Sequence, residues 1–259
     1  MKQLSENPSL EHTGFVASNM DEENIGTPYG GVPVERLILS DERGGEHGLV
    51  FIHRHHGEGT TPPHMIDHRA NIMAAGSFQP VALVTIHAVG SLASDFPPGS
   101  LGMAADVLDL TGAVSTFHDD DATHAPLSNH FSSALRDLVR PSLVEAQRSS
   151  DVEADLLLDH VVAQMSGPQF ETAAEIEALH RLGATTVGMT LSPEARLAAE
   201  LGLPQLALLV SSNWATGRDP AGPDAEIDHH SVEDEASRLQ HLIWKCITTL
   251  LDAGASQSG

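Results

Sequence analysis

The chain has 259 residues, with 13 Lys and Arg against 36 Asp and Glu, a formal net charge of −23 with histidine neutral. That charge repels phosphate backbones and anionic lipid surfaces, which excludes nucleic acid and membrane as expected partners. A single cysteine, Cys246, cannot form an internal disulfide and suits a reducing cytoplasm. The polar start from Met1 to His12 has no signal-peptide core, and no run approaches the about 18–20 apolar residues of a membrane span.

In chain order, residues 1–26 show no sustained periodicity and read as an irregular lead-in. Val34–Leu39 and Gly48–His53 read as strands joined by the turn-rich Asp41–Glu46, and Pro62-Pro63 ends that unit. Arg69–Ala75 reads as a short helix ending near Gly76, and Pro80–Ile86 as an apolar strand buried on both faces. His160–Met165 reads as a strand. Thr172 then opens a helix with Glu175 three residues on, a capping-box pattern. Thr185–Met189 reads as a strand, and Ser192-Pro193-Glu194 as a helix start with Pro193 at the first helical position and Gly202 as the stop. Leu206–Val210 is a further strand. A last helix over Ser231–Leu251 aligns Ala236, Leu239, Ile243, Cys246, Ile247 and Leu250 on one face. This alternation predicts an α/β domain, and with no repeat and no biased linker it predicts one domain.

Sixteen histidines invite a metal reading. His53-Arg54-His55-His56-Gly57-Glu58, with His64 and His68 behind it, could place two imidazoles and a carboxylate on one face. A second histidine motif is not evident downstream, and the adjacent His229 and His230 would point apart. The expectation is therefore ordinary, hydrogen-bonded or exposed histidines and no metal. The acidic runs Asp119–Asp121 and Asp219–Glu235 read as solvated surface.

Several motifs, taken together and in order, resemble the trimeric purine nucleoside phosphorylase and methylthioadenosine phosphorylase family. They are Thr27-Pro28-Tyr29-Gly30; Arg54-His55 followed by Pro62-Pro63-His64 and Arg69-Ala70-Asn71-Ile72; Ala88-Val89-Gly90-Ser91-Leu92; Gly167-Pro168-Gln169-Phe170-Glu171-Thr172; Val187-Gly188-Met189-Thr190 with Pro193-Glu194; and Asn213-Trp214-Ala215. The resemblance covers residues 27–252, leaving 253–259 as a tail. It implies a single α/β domain with a central mixed, partly barrel-like sheet flanked by helices, assembled as a homotrimer. It also implies a pentosyltransferase of purine salvage that uses inorganic phosphate as co-substrate and needs no cofactor.

Phosphorolysis requires phosphate under C1′, a held ribose, and a purine stabilised as it leaves with negative charge. By the resemblance, Arg54, His55, the Ala88 amide and the Thr190 hydroxyl form the phosphate cradle. Met189 meets the ribose, Phe170 stacks on the base, and Asn213 faces O6 and N7. An Asn amide offers one donor for a 6-oxo group and one acceptor for a protonated N7. Relatives that prefer 6-aminopurines carry Asp there, and a second Asp where this chain has Ala215. Glu171 can accept from N1–H. A 6-oxopurine nucleoside is therefore expected: inosine, guanosine or methylthioinosine, with methylthioadenosine as the alternative. At the 5′ end two histidines pull apart. His229 aligns with the residue facing a 5′-hydroxyl, while His124 resembles the residue that methylthio-specific relatives lend across the trimer interface.

Three positions depart from the family pattern. The N-terminal Gly-Gly-Thr/Ser-Gly loop has its counterpart near Ser5–Leu10, which contains no glycine, and Pro8 removes an amide. His56 replaces the glycine after the Arg-His pair, and His87 stands where Asn or Thr is usual. Phosphate binding is then weaker, supplied otherwise, or lost, the last leaving a nucleoside-binding accessory protein.

Overall fold

The computed structural model describes residues 10, 13–55, 61–148, 156–222 and 239–257. Two sheets build it. The first is the antiparallel meander β1 (Phe15–Thr27), β2 (Gly30–Asp41) and β3 (Glu46–Phe51). The Thr27–Gly30 turn between its first strands closes when the Thr27 hydroxyl donates to the Gly30 carbonyl at 2.7 Å and accepts from the Tyr29 amide at 3.1 Å. Gly30, at φ +136°, adopts a backbone that side chains resist. The next turn folds around the Asp41 carboxylate, which accepts from the Arg43 and Gly45 amides, each at 2.8 Å.

The second sheet is a closed five-stranded barrel. Its strands are β4 (Leu83–Ser91), β5 (Leu101–Asp109), β6 (Asp159–Gln164), β7 (Thr186–Gly188) and β8 (Gln205–Trp214), in the order β4-β7-β6-β5-β8. It is mixed: β4 runs parallel to β8, β6 parallel to both β5 and β7, while β4–β7 and β5–β8 are antiparallel. Among the described residues five α-helices flank the sheets: α1 (His68–Ser77), α2 (Ser133–Arg148), α3 (Ala173–Arg181), α4 (Leu191–Glu200) and α5 (Gln240–Gln257). The α/β fold with a barrel-like mixed sheet is as expected.

Strand β8 ties the cores together because it is buried on both faces. Leu206, Leu208 and Val210 join a cluster with Leu37 and Leu39 of β2 and with Leu242, Ile243 and Trp244 of α5. The alternate residues Ala207 and Leu209 face Val89, Phe96, Val162 and Leu191. This period-2 alternation is what a strand between two apolar layers requires.

Several expectations are corrected. The irregular reading of 1–26 fails from Phe15 onward, where β1 begins. It is an edge strand, exposed along most of its length, so no buried face imprints an apolar rhythm on it. Helix α4 starts at Leu191, with Thr190 as its N-cap residue, so Pro193 sits at the third helical position and not the first. The final helix continues through residues 253–257, read as tail, to Gln257. Residues 231–238, expected to open it, lie outside the described residues. The capping box holds as read: Glu175 N donates to Thr172 Oγ1 at 3.3 Å and Thr172 N to Glu175 Oε2 at 2.8 Å. Among the described residues no helix is long and apolar enough to cross a membrane.

Two deeply buried imidazoles make the fold acid-sensitive. Burial pushes the His160 pKa down to about 4, and burial together with the Arg54 charge pushes that of His87 down to about 3. Both stay neutral in the fold at pH values where an unfolded histidine, near 6.5, already takes up a proton. Stability is therefore expected to fall as pH drops from about 6.5 toward 4, by at most ~1.4 kcal/mol per pH unit for each ring. Burial raises the Glu171 pKa, which acts in the opposite direction. The check is the denaturant midpoint at pH 7 against pH 5; equal midpoints would mean the rings are charged or solvated in the fold.

Candidate active site at the Arg54–Thr190 corner

Arg54 follows β3 and is buried, with a relative exposure of 8%. Its Nε lies 3.0 Å from Glu194 Oε1 in the first turn of α4. Nη1 is 3.0 Å from both His87 Nδ1 and Thr190 Oγ1, and Nη2 donates to the Ile86 carbonyl at 2.8 Å. A guanidinium has five N–H donors. The protein engages four of them, so this arginine is rigidly held and has one left to offer. Its charge is also balanced. Burial alone would raise the Glu194 carboxyl, but the Arg54 guanidinium and neighbouring His68 hold it down at about 2, ionised at neutral pH. The corner contains a neutralised ion pair at the start of a helix, where backbone amides and the helix dipole favour an anion.

His55 is turned differently from its neighbour. Its Nδ1 lies 2.7 Å from the Thr61 carbonyl. A carbonyl only accepts, so Nδ1 carries the proton and Nε2 donates only when the ring is protonated. Burial lowers the His55 pKa. His53 belongs to another group altogether, pairing with Glu35 at 3.1 Å. The two imidazoles of the His-x-His pattern thus serve separate partners, because β3 ends at Phe51 and the strand alternation does not extend to them. Among the described residues no three metal-ligating side chains converge; His56 and Glu58 lie outside those residues.

The residues expected on the base side lie near the ends of β4, β7 and β8. Asn213 lies beside Gly90 in the β4–β8 register, and a Cβ on Gly90 would stand 3.3 Å from Asn213 Nδ2. Only a glycine lets the amide come this near without a shift. Asn213 is oriented by its neighbours: Ser212 Oγ donates to its Oδ1 and its Nδ2 donates to the Trp214 carbonyl, both at 2.8 Å. Ala215 is buried, its amide donating to the Ser91 carbonyl at 2.8 Å. Met189 packs on the loop carrying Phe170 and Glu171. A Cβ on Gly167, at φ +62°, would fall 2.6 Å from its sulfur. Glu171 is buried, which raises its pKa, while Phe170 is 38% exposed.

The structure therefore brings Arg54, Thr190 and Met189 into one region through the Met189-Thr190 dipeptide. Ala88 is exposed on β4 two residues before Gly90. His124 is exposed on the segment between β5 and α2, apart from these groups, and His229 lies outside the described residues, as does the glycine-free loop up to Ser9. Sequence reasoning missed what holds the corner: Glu194 as the buried counter-ion, His87 as an arginine partner, and Ser212 as the Asn213 anchor. An acidic residue in the first turn of α4 and a histidine inside an apolar strand were the available signals. An open cleft of about 630 Å³ lies elsewhere, lined by Ile25, Met73, Pro80 and Leu203 among others, and holds none of the site residues.

Comparisons with known proteins show the family and the fold. The sequence model of the phosphorylase superfamily matches residues 21–248. The chain belongs to that superfamily. Among its relatives, a probable 6-oxopurine nucleoside phosphorylase from Thermococcus kodakarensis is 37% identical over 210 residues, covering 78% of this chain and 75% of the relative. A probable S-methyl-5′-thioinosine phosphorylase from Methanopyrus kandleri is 32% identical, covering 85% and 83%. Among solved structures, methylthioadenosine phosphorylase from Schistosoma mansoni in complex with adenine superposes with a TM-score of 0.80 at 19% identity, covering 94% of this chain and 88% of that one. A methylthioadenosine phosphorylase from an antarctic soil metagenomic library gives 0.79 at 22% identity, covering 96% and 84%. Those two likenesses establish the phosphorylase fold.

Proposed function

We propose that this phosphorylase-superfamily member cleaves 6-oxopurine nucleosides by phosphorolysis, releasing the free base and a pentose 1-phosphate. A phosphate oxygen forms the bond to C1′ as the C1′–N9 bond breaks, and the electron pair of that broken bond leaves with the purine, which takes a proton at N7 from solvent while the phosphate gives one up. The observation that carries the base assignment is the anchored Asn213 amide. With Nδ2 spending one hydrogen on Trp214 and Oδ1 one lone pair on Ser212, a single donor and a single acceptor remain. These match O6 and N7–H of a 6-oxopurine. The buried Glu171 suits N1–H, and Ala215 removes the second carboxylate that a 6-amino group would use.

Arg54, Thr190, the Ala88 amide and His55 are assigned to the phosphate, Met189 to the ribose, and Phe170 to stacking on the base. Phosphate is a co-substrate, and no metal or organic cofactor enters the scheme. A homotrimer in the cytoplasm completes the reading; the exposure of His124 on a single chain suits a residue lent to a neighbour's 5′ pocket. Inosine, guanosine and methylthioinosine all remain substrates under this reading. A second reading, a nucleoside-binding protein without turnover, is favoured by one observation: Arg54 has most of its donors engaged inside the protein.

The test is incubation of the purified protein with inosine, guanosine and methylthioinosine, with and without phosphate. Base release only when phosphate is present is the expected result. Release without phosphate would make the chain a hydrolase, and binding without turnover would make it the accessory.

A further inference from the structure

His87 lies on β4 immediately before Ala88, is 2% exposed, and has no role in the scheme above. Its Nδ1 is 3.0 Å from Arg54 Nη1 and 3.0 Å from Thr190 Oγ1, and those two atoms are themselves 3.0 Å apart. A guanidinium donates and never accepts, so the ring nitrogen facing it presents its lone pair. The imidazole proton is then on Nε2, which faces Glu194 Oε2 across 3.5 Å.

We propose that His87 is the positioning residue of the anion corner, its Nδ1 taking one Arg54 N–H so that the Thr190 hydroxyl hydrogen stays available to the attacking phosphate. This rests on the phosphorolysis reading. Nδ1 has one lone pair. Occupied by Arg54, it cannot also take the hydroxyl hydrogen of Thr190, whose oxygen is already accepting from the same guanidinium nitrogen. The threonine keeps its hydrogen for a ligand at the N-terminus of α4. The ring is well placed to act as a fixed acceptor because it stays neutral: burial and the adjacent Arg54 charge hold its pKa at about 3, against the opposing pull of Glu194. The charged and titratable groups around it are Arg54 and His55 after β3, His68 on α1 and Glu194 on α4. Where the family pattern has Asn or Thr, this chain thus has an acceptor for the arginine and not an extra donor for phosphate.

The experiment compares His87→Asn, His87→Gln and His87→Leu with the wild type. Asn places an amide oxygen near the position of Nδ1, whereas Gln reaches toward that of Nε2 and Leu offers no polar atom. Phosphate KM is expected to rise about ten-fold or more in His87→Gln and His87→Leu, with nucleoside KM within about two-fold, and to stay within about three-fold in His87→Asn. If His87→Leu does not fold, the Asn and Gln pair decides. Equal rises in both KM values, or His87→Asn as impaired as His87→Gln, would overturn the proposal. A ¹⁵N imidazole spectrum of the wild type is read independently of turnover: a proton on Nε2 and a bare Nδ1 at pH 7 supports the proposal, and a proton on Nδ1 overturns it. A wild type with the Nε2 proton but no phosphate-dependent turnover would sink phosphorolysis while upholding the hold on Arg54.

Discussion

Asn213→Asp is expected to lower kcat/KM for inosine by roughly 100-fold and to move the inosine-to-adenosine ratio by at least about ten-fold. The wild-type amide sits between a hydroxyl that donates to its oxygen and a carbonyl that accepts from its nitrogen, each at 2.8 Å. An ionised carboxylate keeps the contact with Ser212 but sets an anionic oxygen 2.8 Å from the Trp214 carbonyl, with no hydrogen between. The side chain must turn away or take up a proton, and in either case the donor for O6 is gone. A buried polar group left unpaired costs roughly 1–3 kcal/mol, and the displaced carboxylate adds to that on the inosine side. Adenosine, whose 6-amino group donates, is not penalised by a missing donor. Steady-state kinetics on both nucleosides at saturating phosphate measures the ratio. If both substrates lose the same factor, Asn213 supports the strand end and does not read the base. Ser212→Ala provides the milder companion: it frees the amide to flip and should erode the same ratio without adding a charge.

How much of this could be read from the chain depends on where each element sits. Strands β4, β6, β7 and β8 are visible because buried strands in a barrel are apolar runs bounded by turn residues. β5 escaped because Gly102, Ala104, Ala105 and Asp106 interrupt its apolar run: Leu101 and Met103 supply buried bulk, while a Cβ on Gly102 would fall 2.7 Å from the His160 ring. α2 carries Pro141 in its interior, a residue that ordinarily argues against a helix. At the site, Arg54 and Thr190 meet across 136 positions, a juxtaposition that only the family resemblance implied. What one dimension does not reveal is how the donors are spent. That four of the Arg54 N–H groups are engaged follows from acceptors on two other segments, Ile86 and His87 of β4 and Thr190 and Glu194 at the start of α4, and Glu194 reads from the sequence as a first-turn helix acid until its 4% exposure is seen.

The Arg54–Glu194 pair separates a structural from an anionic role for the corner, because its two halves should fail in different ways. Arg54→Ala strands Glu194 in a buried site with its charge uncompensated. Breaking a buried pair from one side costs about 3–5 kcal/mol, and at this chain length each kcal/mol lowers Tm by about 2–4 °C, so a drop of roughly 10 °C is expected. Phosphate should not restore it, since an anion placed beside Glu194 adds repulsion, and phosphate KM should rise by about 100-fold or more with a much smaller change for nucleoside. Glu194→Gln keeps an oxygen for Arg54 Nε–H but removes the balancing charge. The phosphate-free fold should weaken here too. Added phosphate should then raise Tm by more degrees than in the wild type, because the guanidinium now meets an anion without a competing carboxylate. Thermal unfolding of the three proteins with and without phosphate measures all of this directly. An Arg54→Ala protein that phosphate stabilises as well as it does the wild type would place the oxyanion elsewhere. A Glu194→Gln protein indifferent to phosphate would mean that the arginine, freed of its partner, still does not face the ligand.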